Sequence, residues 1–271
     1  MHIAEIMNGL DYKLISGPDE PNITGISYDS RKTRPGDIFI CIPGLKTDGH
    51  DYIEQALSNG AAALLVERDV SVNPNITVLK TQDGRQAMPV IAANFFEQPS
   101  HYLKVVGVTG TNGKTTTCHL INAVLAEWGK RAGIMGTLYA RSGSYQEVFN
   151  HTTPESVEIQ KFLQLVRQDR GEYVVMEVSS HALDLGRVDQ LRFHAAVFTN
   201  LTQDHLDYHK TMDNYKQAKL NLFQGLFSQP GRFAVINADD PAAPDFIRVT
   251  RSDYITYGIN RYADIKATDL K

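Results

Sequence analysis

Apolar positions along this chain fall into two kinds of run. Short, nearly unbroken runs occur at 104–110 (KVVGVTG), 132–137 (AGIMGT), 173–179 (YVVMEVS), 195–201 (AAVFTNL) and 232–237 (RFAVIN). Runs without a polar alternate are how strands buried on both faces of a parallel sheet read. Between them apolar residues recur three and four apart. That spacing predicts a helix from about Lys114 to Trp128, closed by Gly129, and two more over 156–168 and 211–227. The alternation predicts a doubly wound, mostly parallel α/β sheet, whose ligands sit at the carboxyl ends of the strands. Functional loops are therefore expected after Val108, Val178 and Phe198.

The first hundred residues repeat the pattern on a smaller scale. Strands are predicted over 36–42, 61–67 and 75–80, and a helix over 50–60 that stops at Gly60. A second helical stretch, 84–99, contains Pro89, so the helix either begins there or kinks. Two domains follow from this pattern. Residues 1–100 form a small α/β domain and 101–271 a larger one, with 97–103 (EQPSHYL) as the linker. There are no internal repeats or low-complexity tracts.

Composition changes this picture little. The net charge of −4, with no cluster of Lys and Arg, gives no footprint for nucleic acid. The N-terminus lacks the basic flank and apolar core of a secretory signal. No stretch approaches the roughly 20 apolar residues that span a bilayer. A soluble cytoplasmic protein without membrane insertion is expected. Cys41 and Cys118 are far apart and in no metal-binding spacing, so both are expected to be reduced, buried thiols.

Candidate chemistry begins at GTNGKT. Glycines at 110 and 113 let backbone N–H groups converge on phosphate oxygens, and the following helix N-terminus adds a favourable dipole. Lys114 neutralises phosphate charge and the Thr115 hydroxyl can ligate Mg²⁺. Val108 stands where the usual phosphate-loop pattern has its first glycine. A Gly-rich turn with a solvated lysine is the competing reading, but strand, loop and helix come in the required order.

Further signals follow downstream. Glu177 lies inside an apolar run, where a carboxylate needs a metal or a hydrogen-bonding partner. NLTQDHLDYH (200–209) packs two aspartates with His205 and His209, yet without HExxH or a nearby cysteine a zinc site is weak. Lys216 and Lys219 read as solvated lysines. HTTPES (151–156) and INADDP (236–241) suit polar ligand loops.

In this order GTNGKTT, HTTPE, MEVSSHAL, TNLTQDHLDYH, YKQAKLNLF and NADDP resemble the Mur ligase family. These ATP-dependent enzymes build the peptide of peptidoglycan. HTTPE and SSHAL resemble the type that adds the third amino acid to UDP-N-acetylmuramoyl-L-alanyl-D-glutamate, and residues 28–61 are similar to its UDP-binding domain. The resemblance implies phosphorylation of a substrate carboxylate by ATP, then attack of an amine on the acyl-phosphate, with Mg²⁺ as cofactor. It implies that Gly110, Thr111, Asn112, Gly113, Lys114, Thr115 and Thr116 bind ATP, with Lys114 on the β- and γ-phosphates. Thr115 and Glu177 would take one Mg²⁺ and His205 a second, beside a carbamate formed on Lys219. Lys114, Lys219 and His205 are thus the implied catalytic set. Asn150, Thr152, Thr153, Ser179 and Arg187 would read the muramoyl-dipeptide, and Ser30 with Leu45, Lys46 and Thr47 the uridine diphosphate. His151 stands where the family often has Asn.

Family members continue past a YG…ADIKA phrase, matched here at 257–267, into a C-terminal Rossmann-like domain. This chain stops at Lys271, so that domain is expected to be absent and the added amino acid to be meso-diaminopimelate or L-lysine. The alternatives are a non-catalytic nucleotide-binding fragment or regulatory pseudo-ligase, and a related amide ligase such as a folylpolyglutamate or cyanophycin-type enzyme. A GTPase is disfavoured, because no NKxD phrase occurs.

Overall fold

The computed structural model describes residues 1–44, 47–226 and 231–269. They divide into two compact units, Met1–Gln98 with Ser156–Lys161, and Pro99–Glu155 with Phe162–Lys271.

The first unit is built on strands β1 (Lys13–Ser16), β2 (Gly25–Ser27), β3 (Asp37–Ile40), β4 (Ala63–Val66) and β5 (Thr77–Lys80), in the order β1-β5-β4-β3-β2. Only the β1–β5 pair is antiparallel. Side chains alternate across the sheet. Ile38, Ile40, Ala63 and Leu65 face one core with helices α1 (Ile3–Ile6) and α3 (Gly84–Phe95); Phe39, Cys41, Leu64 and Val66 face another with α2 (Ile53–Ser58). The helix predicted over 84–99 neither starts nor breaks at Pro89. Asp83 caps it by accepting from Gln86 N (2.9 Å), and it runs through the proline to Phe95. One missing N–H is tolerated there because Ala87, Met88, Ile91 and Ala92 bury the same face. The strands at 13–16 and 25–27 escape the sequence pattern because they are short, and β1 is largely exposed.

In the second unit the strands are β6 (Lys104–Thr109), β7 (Ala132–Met135), β8 (Ala140–Ser142), β9 (Tyr145–Glu147), β10 (Tyr173–Glu177), β11 (Phe193–Phe198), β12 (Phe233–Asn237), β13 (Asp253–Gly258) and β14 (Ile265–Lys266). They form one sheet, β14-β13-β12-β11-β6-β10-β7-β8-β9, parallel except for the hairpin edge β7-β8-β9. The chain steps from β6 out to β7, returns to β10 beside β6, then crosses to β11 on its other side. That reversal is the topological switch point of a doubly wound sheet. Its helices are α4 (Lys114–Glu127), the Phe162–Gln168 part of α5 (Ser156–Gln168), α6 (Ser180–Asp184), α7 (Leu206–His209), α8 (Met212–Gln224) and α9 (Ala243–Val249). The helix predicted to 227 ends at Gln224, and residues 227–230 lie outside the described residues. Both cysteines are buried free thiols. No helix among the described residues is long and apolar enough to cross a membrane.

Candidate functional site

Adjacent strands β10, β6 and β11 deliver their C-terminal loops to one place. Gly110 follows β6 at φ 151°, and a Cβ there would lie 1.9 Å from Thr199 Oγ1 in the loop after β11. Gly113 caps α4 at φ 84°, in the left-handed region that glycine adopts without strain. The N–H groups of Gly113, Lys114, Thr115 and Thr116 meet no acceptor among the described residues, so the start of α4 presents a positive array suited to an anion.

Two ammonium groups meet at this loop. Lys114 Nζ donates to the carbonyls of Gly110 (2.8 Å) and Thr111 (2.9 Å), and Lys219 Nζ donates to the same Gly110 carbonyl (3.0 Å). The solvated reading of Lys219 is overturned: it is 1% exposed and lies 4.5 Å from the Tyr215 ring centroid. Burial and then the neighbouring Lys114 charge lower it to about 7, and burial also lowers Lys114. Lys216 instead pairs with Asp245 at 2.7 Å.

Glu177, the last residue of β10, is 2% exposed. Its carboxylate accepts from Thr115 Oγ1 (2.9 Å), from Thr137 N (2.8 Å) and from Thr137 Oγ1 (3.3 Å). Gly136 makes room for it, since a Cβ there would lie 2.1 Å from Oε1. Hydroxyl and carboxylate oxygens clustered beside the loop are hard donors of the kind Mg²⁺ takes.

The two histidines diverge. His209 is buried and its Nε2 bonds Ser180 Oγ at 3.0 Å. His205 is held at φ 51° beside Asp204 (3.5 Å), with its ring packed on His181 and Tyr215. His205 and Lys219 therefore touch the same Tyr215 ring from two elements. No group of three or more His, Cys, Asp or Glu side chains able to hold a metal occurs among the described residues.

Other sequence-selected residues lie close by in the same unit. Thr152 Oγ1 accepts from Thr137 Oγ1 (3.0 Å), and Thr153 Oγ1 bridges Glu177 O (2.8 Å) and Ser179 N (3.0 Å). Ser179 caps α6. Arg187 donates to Thr153 O (2.9 Å) and pairs with Glu155 (2.9 Å), so an acid of its own chain already meets its charge. Its buried Nε still meets no acceptor among the described residues. Asn150 is exposed. In the first unit Ser30 Oγ donates to Gln55 Oε1 (2.6 Å), and Thr47 O accepts from Gly44 N (2.8 Å). Leu45 and Lys46 lie outside the described residues.

Sequence reasoning missed Thr137, Thr199 and Asn200. The Gly-Thr after β7 and Thr-Asn after β11 were legible as ends of apolar runs, but their partners were not. INADDP proves to be a brace: Asn237 Nδ2 donates to Thr199 O (2.7 Å), and Asp240 accepts from Leu201 N (2.8 Å).

A parallel sheet whose central strand feeds a glycine loop, a lysine and a helix N-terminus defines the P-loop class of α/β proteins. Within it, residues 108–271 match the Mur ligase middle domain, and residues 22–102 match the Mur ligase family catalytic domain. The chain belongs to the Mur ligase family. It is 50% identical, over its whole length, to UDP-N-acetylmuramoyl-L-alanyl-D-glutamate--2,6-diaminopimelate ligase of Syntrophomonas wolfei, covering 55% of that protein. It is 42% identical to a ligase of the same name, numbered 1, from Clostridium acetobutylicum, again covering 55% of it. A solved structure of such a diaminopimelate ligase superposes with a TM-score of 0.82 at 31% identity, over 100% of this chain and 55% of that one. MurF of Thermotoga maritima, solved with ADP, shares the fold with a TM-score of 0.59 at 24% identity, over 87% of this chain and 50% of that one. The chain thus spans about half the length of these relatives.

Proposed function

We propose that this chain is the UDP-substrate and ATP-binding part of a cytoplasmic ligase of peptidoglycan precursor synthesis. The reaction joins meso-diaminopimelate, or L-lysine, to UDP-N-acetylmuramoyl-L-alanyl-D-glutamate. Residues 1–100 take the UDP end and 101–271 take ATP. The observation that carries this reading is Lys219, buried and lowered to about 7 at the carbonyl it shares with Lys114.

The chemistry brings two anions together. The substrate carboxylate attacks the γ-phosphorus, ADP leaves, and the amine then displaces phosphate from the acyl-phosphate to give the amide. Lys114 and the N–H groups of Gly113–Thr116 hold the phosphates and neutralise charge as the bond to γ-phosphorus forms. Thr115 and Glu177 would hold Mg²⁺, whose Lewis acidity offsets the same repulsion, with His205 reaching a second ion. A lysine near 7 is substantially neutral at physiological pH, the form that adds to CO₂ and becomes a carbamate anion. The unpartnered Nε of Arg187, on the guanidinium that donates to Thr153 O, is suited to an oxygen of the muramoyl-dipeptide.

A second reading is a nucleotide-binding platform without turnover of its own, and phosphate release separates the two. The test is phosphate release with Mg-ATP and UDP-N-acetylmuramoyl-L-alanyl-D-glutamate, adding meso-diaminopimelate or L-lysine in turn, alongside calorimetric binding of each nucleotide. Binding of both nucleotides is expected, with weak or no release. A folded chain that binds neither overturns the reading.

A further inference from the structure

The phosphate loop is divided by its hydrogen bonds. Its first half is already committed to the loop after β11: Thr111 N donates to Asn200 O (2.8 Å), and Thr111 Oγ1 accepts from Thr202 N (2.9 Å) and donates to Thr202 O (3.1 Å). At Asn112 the side chain of Asn200 closes on both polar atoms of the residue's backbone. Asn112 N donates to Oδ1 (2.9 Å), and Nδ2 donates to Asn112 O (3.0 Å), an acceptor also reached by Thr199 Oγ1 (2.7 Å). The second half, Gly113 to Thr116, makes no such bonds through its N–H groups.

We propose that Asn200 is a positioning residue of the nucleotide site. Its carboxamide clamps the Asn112 backbone so that the N–H groups of Gly113–Thr116, and not those of Thr111 and Asn112, are aimed at phosphate. The role rests on the reading that this loop binds a nucleoside triphosphate. Two features favour Asn here. A carboxamide carries an acceptor and a donor side by side, so one side chain meets both the N–H and the C=O of Asn112. Gly110 lets Thr199 approach so closely that a Cβ would clash, which brings the β11 loop within reach. The clamp is itself anchored, because Asn237 holds Thr199 O and Asp240 holds Leu201 N on either side of Asn200. A loop fixed before the ligand arrives loses less freedom on binding, which favours affinity.

The first test needs no variant. Amide exchange is measured on the wild-type chain with and without Mg-ADP. Protection of Thr111 and Asn112 without nucleotide, with Gly113–Thr116 gaining protection only on adding it, is expected. Asn112 gaining protection alongside Gly113–Thr116 would overturn the division of the loop. Asn200→Ala and Asn200→Asp are then compared, the second keeping the acceptor for Asn112 N but setting a carboxylate against Asn112 O. Both are expected to weaken ADP by about tenfold or more, with Tm and binding of the UDP-linked dipeptide retained. Wild-type ADP affinity in a folded Asn200→Ala chain overturns the role. A wild-type chain that does not bind ADP overturns the nucleotide reading and the role with it, while protection of Asn112 would still report the clamp as a structural contact.

Discussion

Lys219 and Glu177 are both buried, ionisable and within the same strand-end cluster. Folded Lys219 titrates near 7 against an ordinary value of 10.5, so between those values the unfolded chain binds the extra proton and stability rises with pH. Lys219→Met is therefore expected to raise Tm most below pH 7, by on the order of a few kcal/mol of stability. The gain shrinks toward pH 10.5, and thermal melts in CO₂-depleted buffer across that range check it. A gain independent of pH would show that the amine is not titrating in the fold. Glu177→Gln keeps the shape but removes the anion between Thr115 and Thr137. ADP affinity is expected to lose its dependence on Mg²⁺, read as the ratio of Kd with the metal to Kd with EDTA, while Tm changes by only about 1–2 kcal/mol equivalent. Residue pattern alone marked Glu177, because a carboxylate in an apolar run is conspicuous, whereas Lys219 was marked only by the family resemblance. Lys219 sits in an amphipathic helix, where its spacing fits either face. Its burial is decided by where α8 packs against the β6 loop.

At the scale of elements, the phosphate loop illustrates why residue type alone underdetermines a site. Its glycines were legible from their order between strand and helix. The reason Gly110 tolerates no side chain is the Thr199 hydroxyl, supplied by the loop after β11 nearly ninety residues later. Gly110→Ala combines that clash with a glycine-only backbone conformation. It is expected to cost about 2–4 kcal/mol of stability and to abolish ADP binding, measured by denaturant unfolding and calorimetry. Retained ADP binding would mean that the β11 loop can give way. The Pro89 helix shows the same limit from the other side. Proline argues against a helix locally, and the buried face of α3 outweighs it.

At the scale of the molecule, the strand order places three loops together, and it also leaves apolar surface in water. Leu120 and Val124 on α4 and Trp128 at its C-cap recur every four residues and are 62%, 68% and 65% exposed. Ile121 and Leu125, one residue on in the helix, line a 590 Å³ apolar groove against β6, β11 and β12. Trp128 is the sole tryptophan. Its emission is expected near that of free tryptophan and readily quenched by acrylamide, with a hydrophobic dye binding the native chain. A blue-shifted, protected signal that depends on concentration would show the α4 face covered by association. The sequence by itself determined the α/β class, the sites of most strands and helices, and the place of the glycine loop between strand and helix, because periodicity, glycine placement and strand-loop-helix order are local properties. Tertiary structure alone decided that Lys219 is buried, that Glu177 meets Thr137, that Arg187 is already paired, and that Asn200 grips the loop. Each of those depends on which strands lie side by side, and neighbours in a crossover sheet are distant in the chain.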